Sequence, residues 1–359
     1  MVTRSFHRFT SVLFILILVI NTVVLAQNQL TVPRVSPHAS ITQTIGISTI
    51  KIDYHRPAVN GREVWGDVVP YGLTNLGFGN GNPAPWRAGA NENTTISFSH
   101  DAMVNGNKVD AGTYGLHMIP SQGEWTIIFS NQTTAWGSYF YDEAEDYLRF
   151  NVSPQETDFT EWLTYTFDDI TSNSVIASLR WENLMIPFKI EFDLHKIVIE
   201  SFEDELIGSA GFFWNAYDQA ATYCVNNNVY LDKAMVWADK AISLNRTLPT
   251  LITKSRILVA SGKEEEADKL VDEALQIGSE NEVNMYGYQL MTQGNIDKAI
   301  EIFEYNIDRN PESWNVYDSL GEALKNKGEI EKSRDAYKKA RSLAPESQKA
   351  RIDQILSTL

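Results

Sequence analysis

The sequence predicts a molecule of two parts, an N-terminal antiparallel β-sandwich or barrel followed by a C-terminal α-helical repeat solenoid. Three observations predict it. From Ile41 to Leu194 apolar residues alternate with polar ones and turn residues recur at short intervals, the pattern of half-buried strands. From about Ile199 the period becomes helical. In the last third Gly287 and Gly321, Leu290 and Leu324, Gly294 and Gly328, Phe303 and Tyr337, and Pro311 and Pro345 each stand 34 residues apart. That is the period of a helix-turn-helix unit, which buries its apolar face only by stacking on its neighbours.

The strands can be taken in chain order. Ile50, Ile52 and Tyr54 alternate with Lys51 and Asp53, so one face is buried. A strand is expected at Thr94 to Ser99. Asn105-Gly106 supplies the positive backbone angles of a tight turn between Met103-Val104 and Lys108-Val109. Thr113 to Ile119 and Glu124 to Ser130 are joined by Pro120-Ser121-Gln122-Gly123. Further strands are expected at Tyr147 to Val152, Glu161 to Phe167, Val175 to Trp181 and Phe188 to Leu194. A run of strands with no helix between them implies two packed sheets or a barrel.

In the helical half Ala216, Ala220, Ala234, Ala238 and Ala241 are small residues at the spacing that lets paired helices approach closely. Ala267 and Ala274 lie 33 residues beyond Ala234 and Ala241, which carries the repeat upstream. The expected organisation is a β-domain over 27–195, a short connector over 196–207, repeats over 208–346 and a capping helix over 347–359. The repeats divide near 208–247, 248–280, 281–312 and 313–346.

Compartment is read from the amino terminus. Arg4 and Arg8 precede an apolar stretch from Val12 to Leu25, and Val24-Leu25-Ala26 fits a signal-peptidase site. Residues 1–26 are therefore expected to be a signal peptide and Gln27 the mature start, giving a periplasmic, outer-envelope or secreted protein. The single cysteine, Cys224, forms no internal disulfide, so the fold stands on its core. Losing Arg4 and Arg8 takes the formal net charge from −16 to −18. Such a surface repels phosphate backbones, so nucleic acid is an unfavoured partner, and no segment after Gln27 is long and apolar enough to insert in a membrane.

Two resemblances follow from ordered motifs. Leu320-Gly321, Leu324, Gly328, Tyr337, Ala340 and Pro345 resemble a tetratricopeptide repeat. Earlier units depart from it: Asn306 stands where a small Ala is usual, and the first two units lack the helix-pairing Gly. In the β-half, Pro33-Arg34-Val35-Ser36-Pro37, Asp53-Tyr54-His55-Arg56-Pro57, Trp86 to Glu92 and Ala111-Gly112-Thr113-Tyr114-Gly115-Leu116 occur in this order. Together they resemble the exported bacterial family called domain of unknown function 2911, over about Leu30 to Leu194. The resemblance implies an envelope protein of a kind common in the Bacteroidota, with no assigned reaction. A glycine-rich stretch, Gly77 to Pro85, stands just before Trp86 as an insertion in the pattern.

Candidate sites are weighed against structural roles. Arg87 and Glu92 flank the small turn Ala88-Gly89-Ala90, with Asn91 beside them. The arginine fork grips either an acidic ligand or Glu92 itself, the latter a turn-stapling ion pair. Trp65, Trp86 and Trp136 lie in loops, where an exposed ring stacks on a sugar or peptide and a buried one plugs the sandwich. His55, His117 and Glu92 are the metal-ligand types that a metal-dependent hydrolase reading would use. No paired-histidine helix, glycine-flanked serine or phosphate loop is present, and no cofactor is expected. In the repeats Asn215, Asn284, Tyr288, Asn315 and Asp318 belong to the first helices of the units. By the tetratricopeptide resemblance these helices line a groove for a protein or peptide. The reading favours a non-catalytic binding and scaffold protein, with a carbohydrate-binding module or a metal-dependent hydrolase as alternatives.

Overall fold

The computed structural model describes residues 32–359. The expected leader, residues 1–26, and the expected start at Gln27 lie outside the described residues. The chain divides into two compact units between Leu194 and His195.

The first unit is built of antiparallel strands: β1 His38–Ile45, β2 Ser48–His55, β3 Thr74–Asn75, β4 Pro83–Ala84, β5 Thr95–Phe98, β6 Ala102–Val104, β7 Asn107–Val109, β8 Gly112–Ile119, β9 Trp125–Ser130, β10 Asp146–Val152, β11 Gln155–Asp168 and β12 Ser174–Glu191. They form a six-stranded sheet in the order β1-β2-β5-β8-β9-β10, a four-stranded sheet β11-β12-β6-β7, and the small β3-β4 hairpin. The period-2 pattern decides which face is core. Ile50, Ile52, Ile96, Leu116, Met118, Trp125, Ile127 and Phe129 are all but completely buried on one side of the larger sheet. Rings meet across the two sheets: Tyr54 against Tyr165 at 4.8 Å, and Phe129 and Phe150 against Phe188 at 6.3 and 6.0 Å. The β6–β7 turn has Asn105 and Gly106 at φ 44° and 78°, the geometry their side chains permit.

Two strand expectations are corrected. Val175 to Trp181 and the start of Phe188 to Leu194 belong to one strand, β12, that runs from Ser174 to Glu191, while Leu194 already opens a helix. Pro187 and the polar Glu182-Asn183 read as a break. The chain instead passes through them with Glu182 at φ 54°, and the register against β11 shifts on either side of the Thr160–Glu182 pair. The glycine-rich stretch is also more ordered than a free insertion. It carries the β3–β4 hairpin, and the Asn80 amide group donates to the Tyr141 carbonyl at 2.8 Å.

The second unit holds ten α-helices: α1 Leu194–Leu206, α2 Trp214–Asn227, α3 Leu231–Leu244, α4 Leu248–Ala260, α5 Glu264–Ile277, α6 Glu280–Thr292, α7 Ile296–Arg309, α8 Trp314–Lys327, α9 Ile330–Leu343 and α10 Glu346–Thr358. Of residues 196–207, expected as a connector, all but the last lie in α1, whose Ile197, Val198 and Ile199 are buried. The helices from α2 to α9 pair as antiparallel hairpins, with α10 packed on α9. Ala234, Ala267, Ala299 and Ser333 take the fourth position of α3, α5, α7 and α9, and each is at most 1% exposed.

Close approach explains the two spaced glycines. A Cβ at Gly321 would sit 2.8 Å from the Tyr337 ring, and one at Gly287 would collide with Phe303. Asn306, the unusual residue of the third unit, is fully buried yet satisfied. Its amide donates to the Glu280 carbonyl at 2.9 Å and its oxygen accepts from Asn310 at 2.9 Å.

Candidate functional site

The β-domain motifs meet at one end of the larger sheet. Asn91 donates from its side chain to the Ser36 carbonyl at 3.1 Å, and the Arg56 amide donates to the Pro37 carbonyl at 2.9 Å. Trp86 and Met118 exchange two backbone hydrogen bonds, of 2.8 and 2.9 Å, which fastens the segment ahead of the Ala88-Gly89-Ala90 turn to β8. Ala88 sits at φ 48°, a conformation a non-glycine residue holds only when its surroundings impose it. Here the Ala88 carbonyl accepts from the Tyr165 hydroxyl at 2.9 Å and from Thr94 at 3.2 Å. Two motif glycines permit the closure. A Cβ on Gly89 would lie 2.6 Å from Thr94 Oγ1, and one on Gly115 would lie 2.6 Å from the Gln132 carbonyl.

The expected Arg87–Glu92 staple does not form. Glu92 accepts from Arg34 Nη1 through both carboxylate oxygens, at 2.7 and 2.6 Å, and stands 3.4 Å from His55 Nε2. The Arg34 hydrogen bond holds the Glu92 carboxyl below its ordinary value. Arg34 was legible only as part of the proline-flanked motif, because nothing local marks a partner 58 residues away. Arg87 turns elsewhere. Its Nη1 donates to the Asn91 carbonyl at 2.5 Å, and its guanidinium lies 5.0 Å from the centre of the Tyr139 ring. Gly137, at φ 58°, leaves the space the guanidinium occupies, since a Cβ there would strike Arg87. Among the described residues no carboxylate pairs with Arg87.

The histidines share the outer face of the sheet and then separate. His38 and His55 are register partners with ring centres 5.2 Å apart. His117 lies on the same face but is 2% exposed, because the segment containing Ser138 and Tyr141 covers it. Its Nδ1 is 3.0 Å from Ser138 Oγ, and burial, with a smaller contribution from Arg87, pushes its pKa down to about 4. Burial likewise lowers His55, against the pull of Glu92. Of the three residues in the metal reading, His55 and Glu92 are neighbours and His117 stands with Ser138. Among the described residues no group of three His, Cys, Asp or Glu is arranged to hold a metal.

The tryptophans form a cluster. Trp65, 8% exposed, meets Trp86, Trp125 and Trp181 edge to face at 5.8, 4.9 and 5.7 Å, and Trp86 stacks on Trp181 at 6.1 Å. Trp65 thus presents no face to a sugar. Trp136 is exposed, with Arg34 6.0 Å from its centre. Trp86, Arg87 and Asn91 line a cavity of about 550 Å³ together with Trp181, Ser138 and Arg62. Trp181, Ser138 and Arg62 carry no local sequence signal for that role. Trp181 reads as a core strand residue, and the other two as loop positions.

Residues 36–190 match the model of a family described as a protein of unknown function, DUF2911, and residues 315–347 match a tetratricopeptide repeat. The chain carries a DUF2911 domain followed by tetratricopeptide repeats. No curated protein matches it significantly. Among solved structures, MamA is 18% identical with a TM-score of 0.27, over 43% of this chain and 83% of that one. MamA from Desulfovibrio magneticus RS-1 is 18% identical with a TM-score of 0.25, over 42% and 82%. YrrB, a tetratricopeptide protein described as having an unusual peptide-binding site, is 18% identical with a TM-score of 0.24, over 41% and 76%.

In the tetratricopeptide half the five groove candidates differ in openness. Asn215 is exposed and Asn315 half-buried on the first turns of α2 and α8. Tyr288 donates its hydroxyl to Glu322 at 2.9 Å, which links α6 to α8. Asp318 is 7% exposed and accepts from Arg351 at 2.7 Å, while burial raises its carboxyl. Asn284 is also 7% exposed, and its side-chain oxygen is buried without a protein donor. Asp218, two helix pairs closer to the β-domain in sequence, has a buried Oδ1 in the same condition. Each orphaned acceptor carries an unpaid desolvation cost that a donor would relieve.

Proposed function

We propose that this protein is an exported, non-catalytic binding and scaffold protein of the bacterial envelope. Its helical repeats hold a protein or peptide partner, and its DUF2911 domain recognises a ligand. The observation that carries the partner reading is the stack of four helix pairs joined to a tetratricopeptide match over 315–347. Such arrays present long surfaces assembled from successive units. Asn215, Asn284, Tyr288, Asn315 and Asp318 are the side chains assigned to the partner, with Asn215 and Asn315 the more open of them. The β-domain reading is supported by the cavity that Trp86, Arg87 and Asn91 line. Export is supported by the charged and then apolar amino terminus.

The test is affinity capture from an envelope fraction, using the full chain and a variant with Asn284→Ala and Asn315→Ala. The full chain should recover a discrete protein that the variant, folded by circular dichroism, recovers at least tenfold less. Equal recovery by both, or recovery by neither, overturns the partner reading.

A further inference from the structure

The β-domain cavity has an unusual charge. In a chain of formal net charge −16, its lining contains two arginines, Arg62 and Arg87, and no aspartate, glutamate or lysine. Neither arginine is in an ion pair among the described residues. Arg62 donates Nε and Nη2 to the carbonyls of Val59 and Ala58 at 3.0 and 2.6 Å, and Arg87 donates Nη1 to Asn91. Carbonyls orient a guanidinium and leave its charge uncancelled. Among the described residues the remaining N–H groups of Arg87 have no protein acceptor, so one edge of its fork is open to a second oxygen pair.

The rest of the wall is apolar and flat. Trp86 and Trp181 stack with their planes 18° apart, and most other lining residues are small or aliphatic. Exposed Val35 and Asn60 at the edge leave the cavity open to solvent. Its size falls in the range of small-molecule sites, which combine apolar walls with a few fixed polar groups. The fixity has visible causes. Asn91 and the Tyr139 ring hold the Arg87 guanidinium from two sides, and only a glycine at position 137 leaves it room.

We infer that this cavity binds a small organic anion, its carboxylate or phosphate gripped by Arg87 with Arg62 at the rim and its apolar body against Trp86 and Trp181. The inference rests on the reading of the DUF2911 domain as the ligand-recognising half and names the chemistry it recognises. A bidentate arginine contact favours oxyanions over neutral groups of the same shape, because only the anion forms two charge-assisted hydrogen bonds. Neutral His117 behind Ser138 neither competes for the anion nor adds charge near pH 7.

Tryptophan fluorescence reads the test, since two indoles line the cavity. The purified full chain is titrated with phenylacetate, phenyl phosphate and the neutral isostere phenylacetamide. Saturable quenching by at least one anion, at least tenfold tighter than by the amide, is expected; a preference for phosphate or carboxylate separates the two sources of the oxyanion. Arg87→Gln should weaken the anion tenfold or more, and Gly137→Ala should do so while keeping the charge. If the amide binds as tightly as the anions, the anion assignment fails and the ligand-binding reading of the domain survives. If none of the three saturates, both fail. Should either variant misfold, the comparison of anion with amide on the unsubstituted protein decides alone.

Discussion

His117 shows what a single side chain on an otherwise polar face can do to the pH dependence of the fold. Its ordinary value is 6.5 and its folded value about 4, chiefly through burial. Between those values the unfolded chain holds a proton that the folded chain excludes, so stability is full above about pH 6.5 and falls as pH drops toward 4. The integrated loss is about 3 kcal/mol. Urea unfolding at pH 7 and pH 4.5, followed by tryptophan fluorescence, should show most of it. His117→Gln, which keeps a partner for Ser138, should flatten the dependence, with the remainder due partly to His55, whose pKa is lowered in the same direction. An unchanged pH slope in the variant would remove His117 from this role. Strand parity puts His117 on the face opposite Leu116 and Met118, and that is where it lies. Parity is blind to the segment that covers the face, because Ser138 and Tyr141 arrive from beyond the next strand. For the same reason Glu92 was visible as a binding or stapling carboxylate, but its partner Arg34 was not.

At the scale of the element, side-chain volume is exchanged across each helix pair. The eighth residues of α2, α4, α6 and α8 are Ala221, Ser255, Gly287 and Gly321, and the eighth residues of α3, α5, α7 and α9 are Ala238, Val271, Phe303 and Tyr337. Glycine appears only where the partner helix brings an aromatic ring. The first two units therefore lack the glycine because their partner positions carry Ala and Val, and their departure from the pattern is compensated. This made the last two units legible from a 34-residue spacing while the first two were traced only by alanines. Gly321→Ala should destabilise the array by about 1–3 kcal/mol through overpacking on Tyr337. Tyr337→Leu in the same chain should recover part of that loss, a coupling that thermal melts at 222 nm of the two single variants and the double variant would reveal. Strict additivity of the two substitutions would count against volume exchange. In the β-domain the alternation located most of the strands, and it failed at β12, where a proline and a positive-φ glutamate interrupt the pattern without interrupting the strand.

Across the whole molecule, the charge, the leader-like amino terminus and the lone cysteine form one argument. A chain directed into an oxidising compartment with a single thiol risks linking to another copy unless that thiol is withheld. Cys224 is withheld. It is fully buried in the cluster of Ala220, Ala221, Ala234 and Ala238, and burial pushes its thiol up to about 11. Reactivity requires both access and thiolate, and the folded protein supplies neither at neutral pH. The thiol should therefore resist an aromatic disulfide reagent such as DTNB in the native protein and react fully in denaturant. Because α2 and α3 pack around it, the slow native reaction should accelerate in variants that loosen this pair, such as Ala238→Gly, and stay unchanged in β-domain variants such as His117→Gln. Native labelling of Cys224 within seconds at pH 7.5 would contradict the burial. It would also mean that the fold does not protect its one thiol in the exported location we propose.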